Sequence, residues 1–510
     1  MRLVHDRADG GGATVDARVD DSGVEWSITN DRTEPLAVRA ARVVWRAVDV
    51  TPPVRIFRHG YQSWSHSGWA TLGVDDDPSR AKDAIPLVVD MHHADPSPAA
   101  PGELRSELVT VLADGSDDPP IVLGFLDGAR HDGTFRLRDV DGTVELAAEA
   151  HLGGAVLAPG EHRGLHGVAV VDDLDTWARR VGGRASAPYQ VGWCSWYHYF
   201  HGVTERDVLA NLALADRWPF EVFQLDDGYQ AAIGDWLATN DRFPSPLADL
   251  AARIDGAGRV PGIWLAPFLV APSSAVATAH PEWLAGHRSG RSLIGMINDE
   301  WGGLVYTLDT TRADVCEHLT AVAAALVDAG FRYLKLDFTY APALDGAFAD
   351  PGCTPAERTR AGFDAIRRGA GDDVFLLGCG APLGATIGVV DGMRIGPDVA
   401  PWWDVPDDQP HLPGYDETRP STANALAAVE ARQFFHRRQW LNDPDCLMLR
   451  TRQTRMTADE VRRWATAVAE SGGMALVSDD LSLLDADARA LLDEVVSIGR
   501  ARDAATVARG

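Results

Sequence analysis

FRYLKLDF, residues 331 to 338, is a short apolar run that carries a lysine and an aspartate two positions apart and stops just after the acid. Residues two apart on a strand share a face, so Lys335 and Asp337 point the same way. Seven more runs of this kind surround it: QVGWCSW (190 to 196), EVFQLDD (221 to 227), VPGIWLAP (260 to 267), DVFLLGCG (373 to 380), DGMRIGPD (391 to 398), WLNDPD (440 to 445) and GMALVSDD (473 to 480). Helical periodicity lies between most of them or after the last, as in RADVCEHLTAVAAALVDAG, ALAAVEARQFFHRRQ, ADEVRRWATAVAES and LLDADARALLDEVVSIG. Eight strand–helix alternations predict a (β/α)8 TIM barrel; an open doubly wound sheet has fewer repeats, and no GxGxxG follows a strand here. The long stretch from Pro267 to Thr311, with Trp283 and Trp301, is predicted to be a loop at the C-terminal ends of the strands, where such barrels build active sites.

Upstream the pattern changes to short alternating runs, VEWSITN, AVRAARVVWRAV, GTFRLRDV and TVELAAEA, separated by Gly, Asp and Pro clusters. This predicts an antiparallel β-sandwich. A helical stretch at Leu174 to Val181 precedes the change, which places the boundary near 185: a sandwich domain over residues 1–185 and the barrel over 186–510. A chain of 510 residues exceeds what one core supports, in keeping with two domains.

The formal charge of −27 disfavours nucleic acid and anionic membranes as partners. No leader-like segment opens the chain and no 18-residue apolar run occurs, so export and membrane insertion are not expected. The five cysteines are odd in number, dispersed and free of CxxC pairs, which points to neither a disulfide framework nor a zinc site and fits a reducing, cytoplasmic setting.

Acids recur at the C-terminal ends of the runs: Asp226 and Asp227 on the second, Asp337 on the fourth, Asp398 on the sixth, Asp479 and Asp480 on the eighth. Alternate strands supply one layer of a barrel, so those on strands 2, 4 and 6 can converge; each taken alone could equally be a turn or helix-cap residue. Only Lys82 and Lys335 are lysines among 47 basic residues, and an ammonium beside Asp337 keeps a carboxylate ionised, as a nucleophile at an anomeric carbon requires. The competing reading is a structural ion pair inside the barrel. Asp398, set among Pro397, Val399, Ala400, Pro401, Trp402 and Trp403, has the apolar flanks that hold a general acid protonated. Arg394, four residues earlier, is either a donor to a sugar hydroxyl or a partner in an ion pair. Trp193, Trp196, Trp264, Trp402 and Trp403 fall near the predicted pocket, where an indole face can stack on a sugar ring or simply fill the core.

GYQSWS (60 to 65), GWCSWYHYF (192 to 200), FQLDDGYQ (223 to 230), GIWLAPF (262 to 268), YLKLDF (333 to 338), LLGCGAPLG (376 to 384), DGMRIGPDVAPWW (391 to 403) and WLNDPDC (440 to 446) together resemble glycoside hydrolase family 36, in its short bacterial α-galactosidase branch. The resemblance implies an N-terminal β-supersandwich, a catalytic barrel, no metal or cofactor, and retaining cleavage of terminal α-galactosides of small oligosaccharides. It puts the nucleophile on Asp337 and the acid/base on Asp398. It gives Asp226 and Asp227 to the O4 and O6 hydroxyls, Lys335 and Arg394 to hydroxyls near the reacting centre, and Trp64, Tyr197, Trp264 and Cys379 to the pocket wall. Two acids on O4 and O6 would favour galactose over glucose, because a misplaced hydroxyl leaves buried acceptors unpaired.

One departure stands out. The family commonly carries a C-terminal β-domain, which is absent or vestigial in this sequence, so a monomer and a homo-oligomer are both compatible with it. Alternatives within the glycosidases are an α-N-acetylgalactosaminidase and a galactosyl transferase. From other classes come a Mg²⁺-dependent barrel enzyme, against which Lys335 argues, and a sugar-binding protein without catalysis.

Overall fold

The alternating runs of the first 170 residues fold into two antiparallel sheets in the computed structural model, which describes residues 1–509. In the five-stranded sheet the order is Arg2–Asp9, Leu36–Val48, Thr143–Leu157, Asp132–Val140 and Leu104–Glu107. The eight-stranded sheet is centred on Gly23–Thr29, Val168–Val171, Ile121–Phe125, Val109–Ala113 and Arg55–Arg58. Alternation puts Ala41, Val43 and Trp45 on one buried face, and register sets Trp45 opposite Leu146 and Val43 opposite Ala148. These side chains share a core with Ile28, Ile56, Leu123 and Phe125 of the other sheet. All four runs singled out in the sequence are strands here.

The sheets end at Val171, and the helix Leu174–Val181 follows, capped by Asp173 and closed by Gly182 at φ 68°. Then come eight short parallel strands: β1 (Val191–Cys194), β2 (Val222–Leu225), β3 (Val260–Leu265), β4 (Tyr333–Leu336), β5 (Phe375–Gly378), β6 (Gly392–Arg394), β7 (Leu441–Asp443) and β8 (Ala475–Val477). Each pairs with its chain neighbour from β1 to β7, and β1 also pairs with β8. The β7–β8 seam is held more loosely, by the Met474 N–H on the Asn442 carbonyl at 2.9 Å and a bridge from Leu447 to Val477. Almost every residue of these strands is buried, which is why they read as continuous apolar runs rather than alternating ones.

Helices Ala313–Asp328, Pro355–Ala370, Thr422–Arg432, Ala458–Ser471 and Ala486–Ala508 are among those that follow the strands. Thr354 with Glu357, and Thr457 with Glu460, close reciprocal N-terminal caps. The helix expected over 425–439 stops at Arg432. Gln433–Phe435 tightens into a 3₁₀ turn that buries Phe435 against Trp177 and Trp440, and Arg437 takes a positive φ of 60°. The long stretch after β3 is not plain loop: Leu269–Val270, Ile294–Asn298 and Gly303–Thr307 form a three-stranded sheet.

The two parts are joined through the segment 60–65 and Arg432. Arg432 is fully buried and has no carboxylate partner among the described residues; instead it donates to five carbonyls, those of Ser63 (2.6 Å), Ser65 (2.8 Å), Gln62 (3.2 Å) and Gly60 (3.3 Å) and that of Ile395 (2.9 Å) just past β6. Burial works against the guanidinium charge, and these carbonyl dipoles offset that cost. The Ser63 N–H adds a bond to the Ala381 carbonyl at 3.1 Å, so the segment is seated on the barrel rim.

Candidate active site

At the C-terminal ends of the barrel strands lies a cavity of about 500 Å³. Strands 2, 4 and 6 deliver Asp226, Asp227, Lys335, Asp337 and Asp398 to it, as the spacing predicted. Trp264 comes from β3, Trp64 from the segment 60–65, and Trp301 from the short sheet after β3. The helix Pro86–His92 of the antiparallel part adds Leu87 and Met91.

Asp337 is 7% exposed; its Oδ2 accepts the Trp264 Nε1–H at 2.9 Å and its Oδ1 accepts the Phe338 N–H at 2.8 Å. Phe338 sits at φ 52°, a strained setting for a non-glycine residue, and this turn packs its ring edge-on against Trp64 (5.1 Å) and Trp301 (4.8 Å). Trp64 also lies against Gly380, where an added Cβ would stand 2.7 Å from its ring.

Lys335 faces the cavity with Asp337, but its closest partner differs from the expected one. Its ammonium bonds Asp226 across the barrel at 2.9 Å. Sequence spacing fixes only that the two side chains share a face; which carboxylate the long lysine reaches is decided by closure of the sheet. Burial opposes the Lys335 charge, yet Asp226, and to a lesser degree Asp337, hold it well above the usual lysine range. Asp226 further accepts from Gln224 Nε2 at 2.6 Å. Asp227 accepts from Gln230 (2.6 Å) and from the Trp301 indole (2.9 Å) and lies 3.0 Å from His201 Nδ1.

Asp398 is the most open of the acids, with 34% of its side chain exposed, and among the described residues its carboxylate has one partner, Arg394 Nη1 at 3.1 Å. Burial by the surrounding walls, then the charge of Asp445, raises its pKa to about 7 against the pull of Arg394. The direction agrees with the sequence reading, but a carboxylate neighbour contributes where only apolar flanks were expected. Trp402 and Trp403 do not line the main cavity; Trp402 borders an adjoining space of about 380 Å³ on the other side of Asp398, together with Tyr197.

Three expected site residues stand behind the wall. Arg394 is 2% exposed and commits its guanidinium to Asp398, to Asp443 through Nε (3.0 Å) and to Asp445 through Nη2 (2.8 Å), which is the ion-pair arrangement. Tyr197 is 2% exposed and donates its hydroxyl to Asp445. Cys379 is fully buried, and burial pushes its thiol pKa well up. Of the eighth-strand acids, Asp479 pairs with Arg450 at 2.6 Å and Asp480 caps the turn Leu481–Leu483. Trp193 stacks on Phe223 in the core.

The sequence reading singled out Trp301 only as part of a loop expected to build the site, and it passed over His201, Asp443 and Asp445. The last two lie in the quoted run WLNDPD, so the signal was present. Asp443 ends an odd-numbered strand and Asp445 lies two residues past it, whereas the layer shared by alternate strands picks out acids on the even ones. Among the described residues, one donor group suited to a metal is Asp95, Glu149 and His151 in the antiparallel part. Arg136 Nη2 already donates to both of its carboxylates at 2.8 Å, so a guanidinium occupies the cation's place.

Paired acids at strand ends, a carboxylate-held lysine and indole walls around a sugar-sized space define a barrel of the glycosidase class. Residues 192–342 match the Melibiase family. The α-galactosidase TtGalA of Thermus thermophilus, solved with p-nitrophenyl α-D-galactopyranoside, is 30% identical with a TM-score of 0.76 over 97% of this chain and 94% of that one. A second structure of it, with stachyose, has a TM-score of 0.74 over 97% and 99%. α-Galactosidase AgaA of Geobacillus stearothermophilus is 26% identical over 151 residues, 28% of this chain and 20% of that protein. The stretches matched to curated relatives thus span a fifth or less of those proteins. The chain belongs to the α-galactosidases of glycoside hydrolase family 36.

Proposed function

We propose that the protein is a retaining exo-α-galactosidase. The observation that carries the reading is the contrast between two acids on one cavity. Asp337 is fixed by two N–H donors, as an ionised nucleophile should be, while Asp398 is open and held near a pKa of 7, as a proton donor should be. Asp398 protonates the glycosidic oxygen as Asp337 attacks C1; the Asp337–galactosyl ester then forms as the aglycone leaves. Asp398, now ionised, takes a proton from water, which attacks C1 and frees galactose with its α configuration. Asp226 and Asp227 accept from the O4 and O6 hydroxyls. Lys335 fixes Asp226 through its 2.9 Å bond, and Trp301 and His201 orient Asp227.

The relatives in complex with an aryl α-galactoside and with stachyose support small α-galactosides of the raffinose and melibiose type as substrates. All five cysteines are free, which supports action in a reducing cytoplasm. The test is nitrophenol release from the α-galactoside, α-glucoside and α-N-acetylgalactosaminide by the wild type, Asp337→Asn and Asp398→Asn, with and without EDTA. Activity confined to the galactoside, insensitive to EDTA and lost most completely at Asp337 is the expected result. Methanolysis that yields the β-methyl galactoside would overturn retention, and equal turnover of the N-acetylgalactosaminide would overturn the specificity.

A further inference from the structure

Behind Asp398 lies a group of side chains that touches no part of the main cavity. Asp445, in the segment after β7, is fully buried, and its carboxylate is the centre of the group. It accepts from Arg394 Nη2 (2.8 Å), the Tyr197 hydroxyl, the Val399 N–H (2.9 Å) and the Cys446 N–H (2.6 Å). Asp443 accepts Arg394 Nε at 3.0 Å and the Asp445 N–H at 2.9 Å. The Asp398 carboxylate, by contrast, has a single bond among the described residues, from Arg394 Nη1 at 3.1 Å.

Two consequences follow from this arrangement. Arg394 is divided among three carboxylates, so only one edge of its guanidinium is available to Asp398. The Val399 N–H, on the residue next to Asp398, is pinned to Asp445, which fixes the backbone that carries the acid.

We infer that Asp445 is a positioning residue for the proton donor: by engaging Arg394 and the Val399 amide, it holds Asp398 in place and keeps its proton on it. The inference rests on the reading of Asp398 as the acid. Across the pocket acids and this group there are six carboxylates (Asp226, Asp227, Asp337, Asp398, Asp443 and Asp445) against two fixed cations (Lys335 and Arg394), with His201 beside Asp227, so a proton is favoured on one of the carboxylates. Donors that bond a carboxylate favour its charged form. Asp445 has four and Asp398 one, which leaves the proton on Asp398. The charge of Asp445 follows burial as a cause of the raised Asp398 pKa. Burial raises Asp445 as well, with Arg394 and the Tyr197 hydroxyl opposing it.

The titratable and charged groups that face Asp398 come from five places in the barrel. Arg394 comes from its own strand and Asp445 from the end of β7. Asp337 and Lys335 come from β4, Tyr197 from the segment after β1 and Cys379 from the end of β5. Only Asp445 bonds both the arginine and the backbone next to the acid.

The experiment is the pH profile of kcat/KM for p-nitrophenyl α-galactoside with wild type, Asp445→Asn and Tyr197→Phe, each checked for folding by circular dichroism. Asp445→Asn removes the charge at constant shape and frees Arg394 for Asp398, so the alkaline limb moves down by about one pH unit or more. Tyr197→Phe keeps the charge but removes a donor from it. The proton is then held to higher pH by the Asp398–Asp445 pair, and the limb moves up. Opposite shifts support the inference. An unmoved limb in both, or a uniform loss of kcat at every pH, overturns it and leaves Asp445 a structural residue. If Asp445→Asn does not fold, Tyr197→Phe decides alone, and a limb that stays or falls refutes the inference. A wild type without α-galactosidase activity would refute the proposed function itself, whereas an active wild type with unshifted variants refutes only the role of Asp445.

Discussion

Replacing Arg432 by methionine should damage the active site without touching it. Arg432 lies under the segment 60–65, and Trp64, which that segment carries, walls the cavity. Of its five carbonyl bonds, three are short: 2.6 Å to Ser63, 2.8 Å to Ser65 and 2.9 Å to Ile395. At about 1.5 kcal/mol for each short charge-assisted bond, less a few kcal/mol recovered by not burying a guanidinium, the net loss is about 2 to 3 kcal/mol. That weakens docking of the segment by about 30- to 150-fold. Trp64 then spends time off the pocket, so KM for the aryl galactoside rises while kcat falls less. Trp64→Ala should give the same pattern. Because both changes act through one wall, the double variant Arg432→Met/Trp64→Ala should be no worse than the worse single one, which initial-rate kinetics on the four proteins of the cycle will measure. Multiplicative losses in the double variant, or a collapse of kcat at unchanged KM, would refute the coupling of Arg432 to Trp64.

Further expectations concern the acids. Since Asp398 acts in its protonated form and titrates at about 7, kcat/KM should decline as pH rises through that value; Asp398→Asn should lose the limb and about 10²- to 10⁴-fold in rate with p-nitrophenol as leaving group, and much less with 2,4-dinitrophenol. Equal losses with both leaving groups would remove Asp398 from the acid role. Trp301→Phe deletes one donor to Asp227 and should raise KM about tenfold, on the scale of about 1.5 kcal/mol for a charge-assisted bond, with little change in the melting curve. Lys335→Met leaves Asp226 buried at 2% exposure without its cation and should cost about 3 to 5 kcal/mol of stability in urea melts; a change below about 1 kcal/mol would mean that water reaches the pair.

The sequence by itself determined the barrel, because eight parallel strands buried along almost their whole length must each be a continuous apolar run, and that signal is local. It also determined that Asp226, Asp227 and Asp337 follow directly on their strands at one end of the barrel; Asp398, expected to end the sixth strand, lies four residues past β6 at that same end. What only the tertiary structure decided are the relations between elements. Lys335 meets Asp226 rather than Asp337 because closure of the sheet brings β2 and β4 within a lysine's reach across the barrel. Trp64 reaches the pocket from far upstream because Arg432 binds the carbonyls around it, and a backbone carbonyl leaves no mark on the sequence. Arg394 turns from the cavity to Asp443 and Asp445 because β7 lies beside β6, a neighbour relation that periodicity along one strand does not encode. Hydrophobic pattern sets where each strand lies and which way its side chains point; the partner of a long charged side chain is chosen among several within reach, and only three-dimensional distance makes that choice.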